Sequence, residues 1–277
     1  MFELPEIVTL TRQLADSVAG RAVLDVALAE PRPKFLFVSP EPTDAFQAAL
    51  IGRQIRSVRS AGKWIFFALD DESTFLIGEF GGRLLRTETG AEGPRKRHLT
   101  VALDDESGLS LAIQMWGFVG ALSPGALRDH PYAGTLGPEP LSGAFSETTL
   151  NRILDDHARA DNEPIKAFLT HEPNVCGIGN GYLQDILFRA RLSPRRRVAD
   201  ITPAERVALY EAIQETMSEA IACDGRDTEI TLYGEHGRYT PILDKRAVGM
   251  PCPVCQTPIQ RGQYLGGSCY LCPACQT

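Results

Sequence analysis

The last stretch of the chain, "CPVCQTPIQRGQYLGGSCYLCPACQT" (252–277), holds five of the seven cysteines in the sequence. Cys252 and Cys255 form one C-x2-C pair, and Cys272 and Cys275 form a second after a gap of 16 residues. Each pair puts two thiolates on one tight knuckle, and two knuckles complete a tetrahedral site. The spacing is that of a zinc site. Four protein ligands leave no open position, so the expected metal is one structural Zn2+. A segment this short has little core of its own, and the metal supplies its folding energy. Between the pairs, "YLGGS" reads as the turn of a hairpin. Cys269 is a less well spaced alternative ligand, while Cys176 and Cys223 read as buried thiols.

The rest of the chain is long enough for two ordinary domains beside this module. Its 43 % apolar and 23 % charged residues suit a globular protein with a real core. "MFELPEIVTL" lacks the basic and apolar regions of a signal peptide, and no apolar run is long enough to span a membrane. A cytoplasmic protein with reduced cysteines is therefore expected, which again favours metal over disulfides. The net charge of −7 argues mildly against a nucleic-acid binder, but the charge is segregated. Basic residues cluster in "PRKRH" (94–98) and "RARLSPRRR" (189–197), and acidic ones in the two "LDDES" segments (69–73 and 103–107). Each cluster taken alone reads as a solvated surface run.

Ile7, Leu10, Leu14 and Val18 recur at helical spacing, predicting a helix over 5–19. Alternating and continuous apolar runs then predict strands in "RAVLDVALA", "KFLFVSP", "QIRSVRSAGKWIFFALDD", "STFLIGEFGGRLLRT", "HLTVALDD" and "LSLAIQMWGFVGAL", with the "LDDES" segments as hairpin turns. From about residue 134 the pattern turns helical. Helices are expected in "SETTLNRILDDHARA", "EPIKAFLTH", "GNGYLQDILFRARL" and "TPAERVALYEAIQETMSEAIAC", the last capped by Thr202 with Pro203 and Glu205 in its first turn. The stretch 224–249 reads as a loop. The expected class is α+β, with a two-sheet domain over 1–133, a helical domain over 134–245 and a zinc module over 246–277. In "CGIGNGYLQDILF" the glycines before a helix start suit either an ordinary cap or a bound anion. Beside a basic run, a phosphate-binding helix start suits DNA.

Taken in order, "ELPEI" (3–7), "GKW" (62–64), "LGPEPL" (136–141), "GIGNGY" (177–182) and "CPACQ" (272–276) resemble the formamidopyrimidine-DNA glycosylase / endonuclease VIII family over the whole chain. The resemblance implies an N-terminal β-sandwich, a helix–two-turn–helix domain and a C-terminal zinc finger. It implies a monomer that binds duplex DNA carrying a damaged base or abasic site, excises oxidised bases and then cuts the backbone. Glu3 corresponds to the family's catalytic glutamate, although a carboxylate at a helix start is also favoured by the dipole. The resemblance puts Lys63 in a DNA-contacting hairpin loop and Lys166 near the cleft, and it puts Asn180 and Tyr182 in the phosphate-contacting motif. Phe80 and Phe118 fall where the family carries wedges that fill the gap left by a flipped base.

Three departures from the family pattern stand out. The family's nucleophile is a proline exposed by removal of methionine, and here that position is Phe2; the candidate amines become Met1 and Lys63. The arginine of the zinc-finger hairpin is replaced by Gly267, with Arg261 nearby. "QMWGF" (114–118) offers Gly117 where the family has a wedge arginine. The expected activity is therefore base excision from DNA, with strand cleavage in doubt. The competing readings are a noncatalytic damage-binding protein and a zinc-ribbon protein with no DNA role.

Overall fold

In the computed structural model the described residues are 1–88, 95–158 and 163–277. Pro94 of the basic run and Arg159 and Ala160 at the end of an expected helix lie outside them. The chain divides into two compact units, Met1–Thr135 with Asp224–Arg238, and Leu136–Cys223 with Tyr239–Thr277. This division differs from the three consecutive segments expected above. Residues 224–238 return to the first unit, and the cysteine module belongs with the helices.

The first unit starts with helix α1 (Leu4–Val18), capped by Glu3 in an extended conformation and with a proline in its first turn. Proline suits that turn because its missing N–H is one the helix leaves unpaired anyway. Among the described residues, nine strands then form two sheets. One has the order β1 (Val23–Leu28), β7 (Leu99–Leu103), β8 (Gly108–Ile113), β6 (Gly82–Thr87). The other runs β2 (Leu36–Ser39), β9 (Gly117–Leu122), β5 (Thr74–Gly78), β4 (Trp64–Leu69), β3 (Ile55–Ala61). All pairings are antiparallel except β2 with β9. Ile7, Leu10 and Leu14 from α1, Val26 and Leu111 from one sheet, and Phe67 and Ile77 from the other share one core. Each such side chain contributes roughly 1.5–3 kcal/mol by leaving water. Phe2 and Leu232, the latter from the returning segment, are buried in the same core.

The two "LDDES" turns are built alike. Asp71 Oδ1 accepts from the Ser73 N–H and hydroxyl, and Asp105 Oδ1 does the same with Ser107. These bonds hold both aspartates below the usual carboxylate range, the serine hydroxyl being the largest cause. Helix α2 (Thr43–Leu50) was not anticipated. It is short and buries only Phe46 and Leu50, so its apolar signal is a single i, i+4 pair.

The second unit contains helices α3 (Glu147–Ala158), α4 (Ile165–Thr170), α5 (Asn180–Arg189) and α6 (Pro203–Ala222). Thr202 and Glu205 form the expected capping box of α6, and Ser146 Oγ accepts the Thr149 N–H at 3.1 Å. Strands β10 (Gln260–Tyr264) and β11 (Gly267–Leu271) form the hairpin between the cysteine pairs. The two residues linking them, Leu265 and Gly266, have φ of 51° and 72°. Two successive positive φ angles are what a two-residue hairpin turn needs; Gly266 adopts its angle freely, while Leu265 holds one that side chains rarely take.

Candidate active site and nucleic-acid interface

In the first unit the chain start is held from three sides. The Phe2 N–H donates to the Phe80 carbonyl at 2.9 Å, and the two rings meet edge to face at 4.9 Å. A side-chain carbon on Gly81 would lie 3.2 Å from the Met1 nitrogen, so glycine gives that nitrogen its space. Two residues earlier, the Glu79 N–H donates to the Lys63 carbonyl at 3.2 Å. Residues 79–81 thus bring the backbone of Lys63, in the β3–β4 turn, alongside Met1 and Phe2.

The third side is ionic. Glu3 and Glu6 are 3 % and 2 % exposed. Glu6 accepts the Glu3 N–H at 2.9 Å, the Arg226 N–H at 3.0 Å and the Arg226 Nε at 3.1 Å. Arg226 Nη1 lies 3.5 Å from Glu3 Oε1, and Nη2 donates to the Met1 carbonyl at 2.9 Å. Glu229 Oε1 is 3.7 Å from the same guanidinium. Burial pushes the Glu229 carboxyl up, and the nearby Glu6 and Glu3 carboxylates add to that; Arg226 and the chain-start amine oppose it. Arg226 is the cation that faces all three carboxylates.

Not every expected site residue stands where a DNA contact needs it. Phe80 is fully buried in the core against Phe2, so it is packing and not a protruding wedge. Phe118 is half-buried and packs edge to face on Trp64 and His130. The residues that do protrude are Met115 and Trp116, 61 % and 53 % exposed, in the β8–β9 connection. They were missed because the comparison position fell on Gly117. A large apolar pair at a strand-to-strand turn is the signal that would have found them.

In the second unit, Asn180 is exposed at the start of α5, and its Nδ2 donates to the Ser268 carbonyl at 3.1 Å. Gln184, one turn on, donates to Asn180 Oδ1 and accepts the Tyr270 N–H. Helix α5 therefore clamps the hairpin through polar side chains. Lys166 lies under the turn, with Nζ 2.9 Å from the Tyr264 carbonyl and 3.3 Å from Cys269 Sγ. At 4 % exposure it braces the hairpin rather than lining an open surface. The Tyr182 side chain is fully buried against the Tyr239 ring and packs in the core. Asp185 is also fully buried and accepts from Tyr239 Oη and the Ile242 and Leu243 N–H groups, at 2.8, 2.9 and 2.8 Å. Burial pushes its carboxyl up to about 6, against the pull of those bonds.

The sulfurs of Cys252, Cys255, Cys272 and Cys275 all lie within 4.8 Å of one another. Two of the separations are 3.8 Å (252–275) and 3.4 Å (255–272). A zinc tetrahedron with bonds of about 2.3 Å has edges of about 3.8 Å, so the cluster fits such an ion. Cys269, beside Lys166, is outside the cluster.

A two-sheet unit with buried carboxylates at its chain start is thus followed in sequence by a helical unit ending in a four-cysteine hairpin. Comparison supplies the assignment. Residues 1–114 match the formamidopyrimidine-DNA glycosylase N-terminal domain, and residues 136–231 match its H2TH domain. Proteins named formamidopyrimidine-DNA glycosylase in Symbiobacterium thermophilum and Chloroflexus aurantiacus are each 34 % identical to this chain. Both alignments cover 100 % of it, and 89 % and 98 % of the relatives. The crystal structure of the MutM (Fpg) protein of Thermus thermophilus superposes with a TM-score of 0.82 at 28 % identity, over 99 % of this chain and 98 % of that one. Lactococcus lactis Fpg in complex with abasic-site DNA shares the fold, with a TM-score of 0.85 at 22 % identity over 99 % of both chains. The chain belongs to the formamidopyrimidine-DNA glycosylase family.

Proposed function

We propose that this protein is a DNA repair glycosylase that removes a damaged, oxidised base from duplex DNA, with Glu3 as the general acid. The observation that carries the reading is the placement of Glu3. It is a nearly buried carboxylate at a helix start, and it is oriented by Arg226 beside the first backbone groups of the chain. A positioned acid of this kind contributes roughly 10²–10⁴-fold to a proton-transfer step. In the hydrolysis, Glu3 gives a proton to the departing base as water bonds to the sugar carbon it leaves, and the proton released from that water returns to Glu3. The duplex is met by exposed Asn180 and by Arg261 on the hairpin, and Trp116 with Met115 takes the place of the wedge assigned above to Phe80 and Phe118. An exposed aromatic at a turn can occupy the gap left by an extruded base. The four cysteines hold one structural Zn2+, which closes the hairpin and takes no part in the chemistry. The protein works as a monomer on DNA in the cytoplasm, at the nucleoid.

Strand cleavage after excision needs an amine to form a Schiff base with the opened sugar. Met1 and Lys63 are the candidates, and Phe2 offers none in the position of the family's proline. Phe2 is fully buried and is part of the core. A noncatalytic binder is favoured by this core phenylalanine in place of the family's proline and by Gly267 in place of the hairpin arginine.

A nicking assay separates these readings. The zinc-loaded protein, its N-terminus verified by mass, is incubated with labelled duplexes carrying oxidised bases or an abasic site, with and without hot alkali. Breaks only after alkali are expected, and Glu3→Gln abolishes them. Breaks without alkali assign lyase activity to an amine that borohydride trapping then locates. Tight lesion binding with no breaks under either condition overturns the glycosylase reading in favour of a binder.

A further inference from the structure

We infer that Arg226 is a positioning residue for the excision reaction, fastening the chain start and Glu3 from a segment more than 200 positions away in the sequence. This rests on the reading of Glu3 as the acting acid. One guanidinium here serves several partners at once. It contacts both oxygens of Glu6, from Nε at 3.1 Å and Nη2 at 3.2 Å. It reaches Glu3 at 3.5 Å and the Met1 carbonyl at 2.9 Å. Arg226 is itself 8 % exposed. A planar, permanently charged fork can hold two carboxylates and a carbonyl in fixed directions, and a lysine cannot reproduce that geometry.

The backbone around it is shaped for the contact. Gly225 has a φ of 90°, and a side-chain carbon there would stand 2.9 Å from Glu6 Cγ. On the other side, a side-chain carbon on Gly237 would stand 2.3 Å from the Gly225 carbonyl oxygen. Both glycines let the 224–238 segment close onto the first turn of α1. The contacts also divide the labour between the two glutamates. Glu6 takes the short bonds from Arg226 and serves as its anchor. Arg226 meets Glu3 at the longer distance, so it orients that carboxyl rather than neutralising it in a tight pair. The consequence is that residues reached only after the whole helical domain has been synthesised set the aim of the catalytic acid.

The test compares wild type with Arg226→Met, Arg226→Lys and the double variant Glu6→Gln/Arg226→Met, in the full zinc-loaded protein. Two quantities are read: hydrogen exchange of a peptide spanning residues 1–12, and the single-turnover excision rate beside duplex affinity. Arg226→Met is expected to speed exchange in that peptide. It should lower the single-turnover rate about 100-fold, the scale of a small misplacement of a reacting group, with duplex Kd within a few-fold of wild type. Arg226→Lys should recover only part of the rate. The double variant removes the uncompensated Glu6 charge, so it should fold well yet remain slow. Wild-type exchange in Arg226→Met, or faster exchange with an unchanged rate, overturns the inference. So does a double variant with the full wild-type rate, because Arg226 would then be only a counter-ion. If wild type excises nothing, the glycosylase reading fails, and the exchange measurement alone decides whether Arg226 fastens the chain start.

Discussion

The two ends of the chain are secured by opposite means. At the start, Phe2 is buried in the hydrophobic core of the first unit, and Glu3 and Glu6 are buried with Arg226 as partner. At the end, the cysteine hairpin has a small apolar cluster of Phe188, Leu243, Cys252, Ile259 and Cys272. It relies on polar clamps from Asn180, Gln184 and Lys166 and on a four-cysteine cluster that fits a metal ion. Burial and ion pairing fix the region that carries the proposed chemistry. Hydrogen bonds and the four-cysteine cluster fix the region proposed to grip DNA. The first should respond to charge changes, the second to chelators.

The sharpest way to break this comparison is to remove the metal. Structural zinc contributes on the order of 10 kcal/mol or more to folding of its module. Cys272→Ser is expected to lose the ion, measured by metal analysis, and to release exchange protection across 252–277. Protection in α1 should stay as it was. One bound zinc in that variant would sink the ligand assignment. At the chain start, Glu3→Gln should cut excision by roughly 10²–10⁴-fold with duplex binding nearly unchanged, checked by single-turnover kinetics beside a binding titration. Glu6→Ala should act first on stability and, through its loss as the Arg226 anchor, also slow excision. It leaves Arg226 short of its main buried partner, at a cost of about 3–5 kcal/mol in denaturant unfolding. A cost near zero would mean that the cluster is not a structural anchor.

Asp185 sharpens the contrast through pH. Its carboxyl sits at about 6 in the fold against an ordinary 3.8, because burial disfavours its charge. The folded state therefore holds a proton that the unfolded chain releases. Its contribution to stability is greatest below about pH 4 and is lost as pH rises to about 6. Urea unfolding across that window should show the slope in wild type and lose it in Asp185→Asn. The smallest effects are expected on the DNA-facing surface. Trp116→Ala should weaken lesion-duplex binding by about 1–3 kcal/mol, the range for one aromatic stacking on a base. Because Trp64 is buried and Trp116 is not, DNA should quench the Trp116 emission selectively. Arg261→Ala should lower the salt slope of binding by about one, with little change in lesion preference.

Much of this could be read along the chain. The strand runs, the capping box at Thr202 and Glu205, the aspartate–serine turns and the four cysteine ligands are local patterns, each encoded within a few residues, and the fold contains them all. The errors were of one kind. Phe80 and Tyr182 carry the right residue types for contacts with DNA, but their burial depends on Phe2 and Tyr239, which are distant in sequence. Met115 and Trp116 were passed over because exposure, unlike periodicity, is not written in a short turn. The same holds for the stretch 224–249, which reads as a loop yet is split between the two units.

The sequence by itself determined the α+β class, the four-cysteine cluster and the likeness to a family of DNA glycosylases. Spacing, alternation and capping act over one or two turns of chain. Only the tertiary structure decided that Arg226 faces Glu3 and Glu6, that Phe2 seals the core, and that Lys166 supports the hairpin. Those are meetings between residues far apart along the chain. They are set by which surfaces bury together, and no local pattern encodes that.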